Sequence, residues 1–162
     1  MIQIGAHAFE DTAYYKNSSN WLEDILYIGK HLIKVKTNKL PPCVVKDGTL
    51  TIADKAFEKC SGIMSVVLPD SLQSVGISAF SEHGLAATLP VTISDPNNLV
   101  YIGYDAFRRT SCYDSSNWSK GVLYIGKHLV AVNSSTINSI YEVEAGTLTI
   151  ASGAFKECSK IE

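Results

Sequence analysis

No apolar run in these 162 residues approaches the ~18 that a membrane-spanning helix requires. Nor is there an excess of positive charge: 14 Lys and Arg stand against 16 Asp and Glu, for a formal net charge of −2 and a pI near 6.1. Nucleic acid and anionic membrane surfaces call for a basic footprint and are therefore not expected as partners. No basic-then-apolar stretch precedes Gln3, so targeting says nothing about compartment. The glycines are scattered rather than gathered into G-x-G-x-x-G or a P-loop, which leaves no phosphate cradle. No nucleophile with its base, carboxylate pair or metal-ligand cluster stands out, so no catalytic, cofactor or metal residue is expected. What the composition does supply is 46% hydrophobic residues, enough for a continuous core in about one domain.

That apolar content is arranged around a hexapeptide: an aliphatic residue, a small residue, any two residues, then Ala-Phe, as in Ile4-Gly5-Ala6-His7-Ala8-Phe9. Later copies end at Phe57, Phe80, Phe107 and Phe155, with Ile52, Val75, Ile102 and Ile150 five positions earlier. The spacing is 48 residues from Phe9 to Phe57, then 23, 27 and 48. A repeat of this length signals a solenoid, in which each unit buries its apolar face by stacking on its neighbours. The unit is about 23 residues, and the two long intervals carry insertions of about 25. Residues 4–63 and 102–161 match at an offset of 97 to 98, a duplicated block on either side of plain repeats at 64–101. Parallel strands ~4.8 Å apart in some seven coils would give a rod ~35 Å long. Because Met1 enters directly on a repeat core at Ile2 and Ile4, and Glu162 stops in mid-unit, the single domain 1–162 is taken as a piece of a longer array.

Leu50, Ile52, Leu148 and Ile150 alternate with Thr49, Thr51, Thr147 and Thr149, the pattern of short strands with one face buried and the threonines, with Ser65, turned outward. Ile63, Val66 and Leu68 form another strand, ended by Pro69-Asp70. Three residues after the motif Phe comes a slot holding Thr12, Cys60, His83, Thr110 and Cys158, a small half-buried packing position; Cys43 and Cys112 have no counterparts, and no disulfide is expected. Each insertion, Ser19 to Val35 and Ser116 to Val132, contains two β-rich segments around Gly29-Lys30 or Gly126-Lys127. Gly at the first turn position suits a type II′ hairpin, with His31 and His128 as exposed residues beside the turn. Polar stretches, Lys36 to Leu40 and Asn133 to Ser139, lead back to the coil.

The Ile-Gly-x-x-Ala-Phe-x-x-Cys core, with Leu-Pro-x-Ser-Leu at Leu68 to Leu72 leading into Val75-Gly76, resembles the BspA-like class of leucine-rich-repeat proteins; the Trp…Leu-Tyr-Ile-Gly-Lys insertions resemble ones seen there. Ala53 and Ala151 depart from the motif Gly, and Thr12, His83 and Thr110 from Cys. The resemblance implies a right-handed, β-rich leucine-rich-repeat solenoid, here with two inserted hairpins. It also implies a secreted or cell-surface protein of host-associated bacteria or some protozoa, with adhesion or protein binding as its role.

Seven of the ten Tyr and Trp residues fall in the insertions or their lead-in, and such residues anchor interfaces. Two readings stand: the rings seal each hairpin against the coil, or Trp21, Tyr27, Trp118 and Tyr124 on projecting hairpins contact a partner. The expected function is therefore a non-enzymatic surface module that binds host or extracellular-matrix protein. The alternatives are a structural spacer, suggested by a hydroxylated strand face, and glycan recognition through Trp21 and Trp118. Asn17, Asn117 and Asn133 head glycosylation sequons, which matter only in a eukaryotic secretory host.

Overall fold

A computed structural model describes residues 3–38, 42–84, 88–137 and 140–161. Ile2 of the first repeat, Glu162 at its mid-unit stop, Leu40 at the end of the first polar stretch and Asn138-Ser139 at the end of the second lie outside the described residues. The first motif turn runs into a single helical turn, α1 (Ala13–Lys16), whose first free N–H groups are met when the Thr12 hydroxyl accepts from Tyr15 N. The insertion then forms β1 (Trp21–Leu22), β2 (Ile25–Ile28) and β3 (His31–Val35), an antiparallel meander. Gly29 alone is left-handed in the Gly29-Lys30 turn, at φ 60, as the type II′ reading requires. The extra strand β1 comes from a second tight turn at Glu23-Asp24, where both residues have positive φ, 47 and 65. That is the type I′ signature, made here without glycine.

These hairpins do not project. Strand β3 pairs in parallel with β5 (Thr51–Ile52), a coil strand, with Leu32 beside Ile52. The backbone accounting explains why: Leu50 N donates to Lys30 O at 2.8 Å, Ala53 N to Leu32 O at 2.9 Å, and Val35 N to Ala56 O at 2.9 Å, so the hairpin's outer edge is satisfied by the next coil. Strand β4 (Cys43–Val44) starts a second ladder with β6 (Val66–Leu68) and β8 (Val91–Ile93), all parallel, while β7 (Ser74–Val75) and β9 (Tyr101–Ile102) continue the first beyond β5. Cys43, without a counterpart in sequence, lines up with Val66 in this second ladder. The second block repeats the meander as β10 (Trp118–Ser119), β11 (Val122–Ile125) and β12 (His128–Val132), and β12 pairs in parallel with β13 (Thr149–Ile150). The result is a β-solenoid of about five turns with ~23-residue spacing. The seven coils expected from length reduce to about five because each insertion forms a meander in the sheet instead of a full coil.

The two ladders enclose a column of motif phenylalanines. Phe57, Phe80 and Phe107 are completely buried, with ring centroids 4.6 Å and then 5.7 Å apart. Phe9 and Phe155, on the outer turns, are half-buried. Gly76 and Gly103 occupy the small motif position where the preceding turn lies against them, and a Cβ there would collide with the backbone of Asp54 or Ile77. Ala53 and Ala151 instead receive a meander strand as neighbour, through bonds to the Leu32 and Leu129 carbonyls.

Four expectations change. In mid-array the slot after the motif Phe is fully buried rather than half-buried: Thr110 Oγ1 donates to Phe107 O at 2.6 Å and the Cys60 thiol to Val35 O at 3.5 Å, so each polar atom is satisfied locally. Thr49 and Thr51 are buried, not turned outward; Thr49 Oγ1 closes its own turn onto Lys46 O, and Thr51 lies in a covered row between His31 and Ser74. Leu148 and Ile150 are exposed, since β13 has a strand neighbour on one side only among the described residues. His128 is fully buried and His31 half-buried, because each opens a strand that is covered by the adjoining turn rather than left at a free hairpin tip.

Candidate functional site

The aromatic residues of each insertion divide between two sides of the meander. Trp21 donates its indole N–H to Tyr15 O at 2.8 Å and meets the Tyr15 ring edge-on, with centroids 5.2 Å apart. Trp118 repeats this with Tyr113, at 3.3 Å and 6.0 Å. Both indoles are half-buried, and beside each lies an open cavity, about 400 Å³ at Trp21 and about 430 Å³ at Trp118. Tyr27 and Tyr124 stand elsewhere. The Tyr27 hydroxyl accepts from Lys46 N at 3.1 Å, and the Tyr124 hydroxyl accepts from Glu144 N at 3.3 Å. Each thereby pins its hairpin to the chain returning from the insertion, and each lines a separate cavity from the Trp of its block. The fold therefore does not gather the four candidates into one surface; it makes two equivalent Tyr–Trp pockets and two tyrosine staples.

The twin pockets differ in charge. In the first, Lys36 Nζ sits 5.2 Å from the centre of the Trp21 ring and 2.8 Å from the Asp24 carboxylate. In the second, Asn133 and Gly121 occupy those two positions, so the cation and its counter-ion are lost together. Lys16 and Lys34 add to the lining of the first, while Ser115 and Thr136 give the second a neutral, hydroxylated rim. Burial pushes the Tyr113 phenol up to about 12, and that of Tyr15 upward in the same sense, so both stay protonated as hydrogen-bond donors at neutral pH.

The chain carrying these turns matches a family model for the BspA type leucine-rich repeat region, with six copies over residues 1–88 and 28–162. The chain belongs to the BspA-type leucine-rich-repeat family. No curated protein matches it, and no solved structure does. Repeat modules of this BspA type are commonly surface-associated, typically non-catalytic, and suited to protein interaction. In this BspA-type chain no helix among the described residues is long and apolar enough to cross a membrane.

The other side chains with reactive groups are the cysteines and histidines. No disulfide joins any of the four cysteines among the described residues. Burial raises the Cys60 pKa to about 12 and raises that of Cys112, which keeps both protonated and poorly nucleophilic. His128 Nδ1 shares a hydrogen bond with Thr149 Oγ1 at 2.8 Å, while its Nε2 is buried and among the described residues makes no hydrogen bond of good geometry, the Pro96 carbonyl being the backbone group that acts on the ring. A further cavity at Tyr104, Arg108 and Lys156, between the fourth and fifth turns, had no signal in the repeat pattern. Lys156 takes the place of Glu58 at the 98-residue offset, a reversal of charge that only alignment of the two blocks would have flagged.

Proposed function

We propose that this chain is a non-enzymatic, secreted or cell-surface interaction module that binds host or extracellular-matrix protein through the Tyr–Trp pockets of its two insertions. The observation that carries the reading is the repetition of the pocket. Both blocks keep an indole fixed edge-on to a tyrosine, its N–H held by a backbone carbonyl, next to an open cavity of about 400 Å³ and 430 Å³ respectively. A half-exposed Trp whose rotamer is already locked loses little entropy on binding, which is the property of an interface anchor. Tyr27 and Tyr124 support the pockets by holding the hairpins in place. The hydroxylated face that motivated a spacer role loses Thr49 and Thr51 to the interior, so that alternative has less to rest on.

The test is surface binding of purified extracellular-matrix and serum proteins to the wild type and to a Trp21→Ala, Trp118→Ala double variant with an unchanged melting midpoint. Loss of an anchoring Trp costs ~2 kcal/mol or more, about a thirtyfold fall in affinity. Equal binding by both proteins would remove the pockets from the interface, and no binding across the panel would remove the function.

A further inference from the structure

The internal duplication compares one groove in two states. In the first block the groove between the motif turn and β3 is closed: Lys34 Nζ reaches the Glu58 carboxylate at 3.2 Å and the Lys55 carbonyl at 3.2 Å, and His7 approaches Glu58 at 3.6 Å. In the second block Ala131 replaces Lys34, so nothing crosses from β12, and Lys156 replaces Glu58. A cavity of about 450 Å³ opens there, inside the ~300–1,000 Å³ range of small-molecule sites.

The walls of that cavity are set. The Tyr104 ring lies against Gly153, where any Cβ would strike it, and its hydroxyl accepts from Lys156 Nζ at 2.8 Å. On the first-block side the corresponding residues are Ala6 and Lys55, so that block has neither the tyrosine nor the glycine that admits it. Tyr113 forms another wall and is shared with the Trp118 cavity, which makes the two spaces neighbours across one ring. The rim carries two cations and two carboxylates. Arg108 is paired with Asp105 at 3.1 Å, and Lys156 has no carboxylate within ion-pair distance among the described residues. With Glu157 also on the rim the formal charges cancel.

A charge-balanced rim gives an ion no advantage, since Asp105 and Glu157 repel an anion as Arg108 and Lys156 repel a cation. It does suit hydroxyl groups, each of which donates to a carboxylate and accepts from an ammonium or guanidinium. The Tyr113 ring, which lines the open space, suits the C–H face of a pyranose ring, while the Tyr104 ring carries Lys156 Nζ 4.8 Å from its centre and so positions that cation at the rim. We propose that the second block binds a neutral saccharide unit in this cleft and that the first block, closed by Lys34, does not. This site shares Tyr113 with the second Tyr–Trp pocket but does not depend on the protein-binding reading.

The experiment is saturation-transfer NMR with glucose, galactose, mannose, N-acetylglucosamine and lactose as probes. It compares the wild type, Ala131→Met, which fills the groove with an uncharged chain close to the length of Lys34, and Lys156→Gln at the rim, each checked for an unchanged melting midpoint. At least one probe should bind saturably at millimolar concentration. Lys156→Gln should weaken it about tenfold, the loss expected for one hydrogen bond to a charged group, and the position-131 variant, which fills the space the sugar occupies, at least as much. Saturable binding by none of the five, or binding that both variants retain, overturns the proposal. So does displacement of the bound sugar by glucuronate or an Asp-rich peptide at lower concentration, since the cleft would then be an anion or peptide site.

Discussion

At the scale of single residues the mid-array slot three positions after the motif Phe shows what a repeat position selects for. Cys60, His83 and Thr110 share neither charge nor shape, yet all are fully buried and each reaches a carbonyl oxygen nearby, His83 Nε2 lying 3.2 Å from Arg109 O. Burial there pulls the His83 pKa below its ordinary 6.5, and burial does the same at His128, with the Pro96 carbonyl opposing part of the shift. The sign of the consequence is definite. A ring held neutral in the fold takes up a proton less readily than in the unfolded chain, so the unfolded state gains protons first as pH falls. The stability contributed is complete above about pH 6.5 and is lost as pH drops through the depressed folded values. Among the described residues the groups acting on His128, Thr149 and Pro96, bear no formal charge, so no carboxylate among them stabilises the protonated ring. Glu58 acts lower on the scale: burial raises its pKa, but Lys34 and His7 outweigh that and hold it below 4.5. Urea midpoints should therefore fall between about pH 7.5 and 5.5 in the wild type and fall less in a His83→Gln, His128→Gln double variant. An equal fall in both would place the acid sensitivity elsewhere.

At the scale of elements the two type II′ turns form an internal control. Gly29 and Gly126 have nearly the same φ, 60 and 58, so alanine at either is strained by an amount of order 1–3 kcal/mol. Their surroundings differ: a Cβ at Gly29 meets open space, whereas one at Gly126 runs into the Pro96 ring. Gly126→Ala should thus lower the melting midpoint more than Gly29→Ala, and equal shifts would mean that the second hairpin does not rest on the 96–98 segment. The Gly-Lys turns were legible in sequence because glycine at the first turn position is a local requirement. The partner turn at Glu23-Asp24 was not, because two non-glycine residues carry the positive φ values that produce β1. The same limit applies to burial. Thr51 looks like a surface residue by alternation, and only its alignment with His31 and Ser74 covers it. Trp21 and Trp118 hold equivalent places in the two blocks, but their separation from Tyr27 and Tyr124 depends on which side of the meander each ring lies, a product of tertiary pairing.

For the whole molecule the fold is quasi-one-dimensional: each turn contacts its neighbours along the axis, so stability is close to a sum of turn and nearest-neighbour terms. The phenylalanine column makes this measurable. Phe80 touches a ring on each side, at 4.6 Å and 5.7 Å, and is completely buried, so Phe80→Ala should cost ~3–5 kcal/mol. Gentler Phe→Leu substitutions keep the array folded and allow a double-mutant cycle. Phe57 and Phe80 are adjacent, and their coupling should be ~0.5–1.5 kcal/mol, the energy of an aromatic pair beyond its burial. Phe57 and Phe107 are separated by Phe80, and their effects should add within ~0.5 kcal/mol. A coupling between Phe57 and Phe107 as large as that between neighbours would show that the turns unfold as one block whose energy is not divisible along the axis. The predicted pattern, strong between adjacent turns and absent across one, would instead show that the two duplicated blocks are energetically independent, leaving each insertion free to change its pocket without disturbing the other.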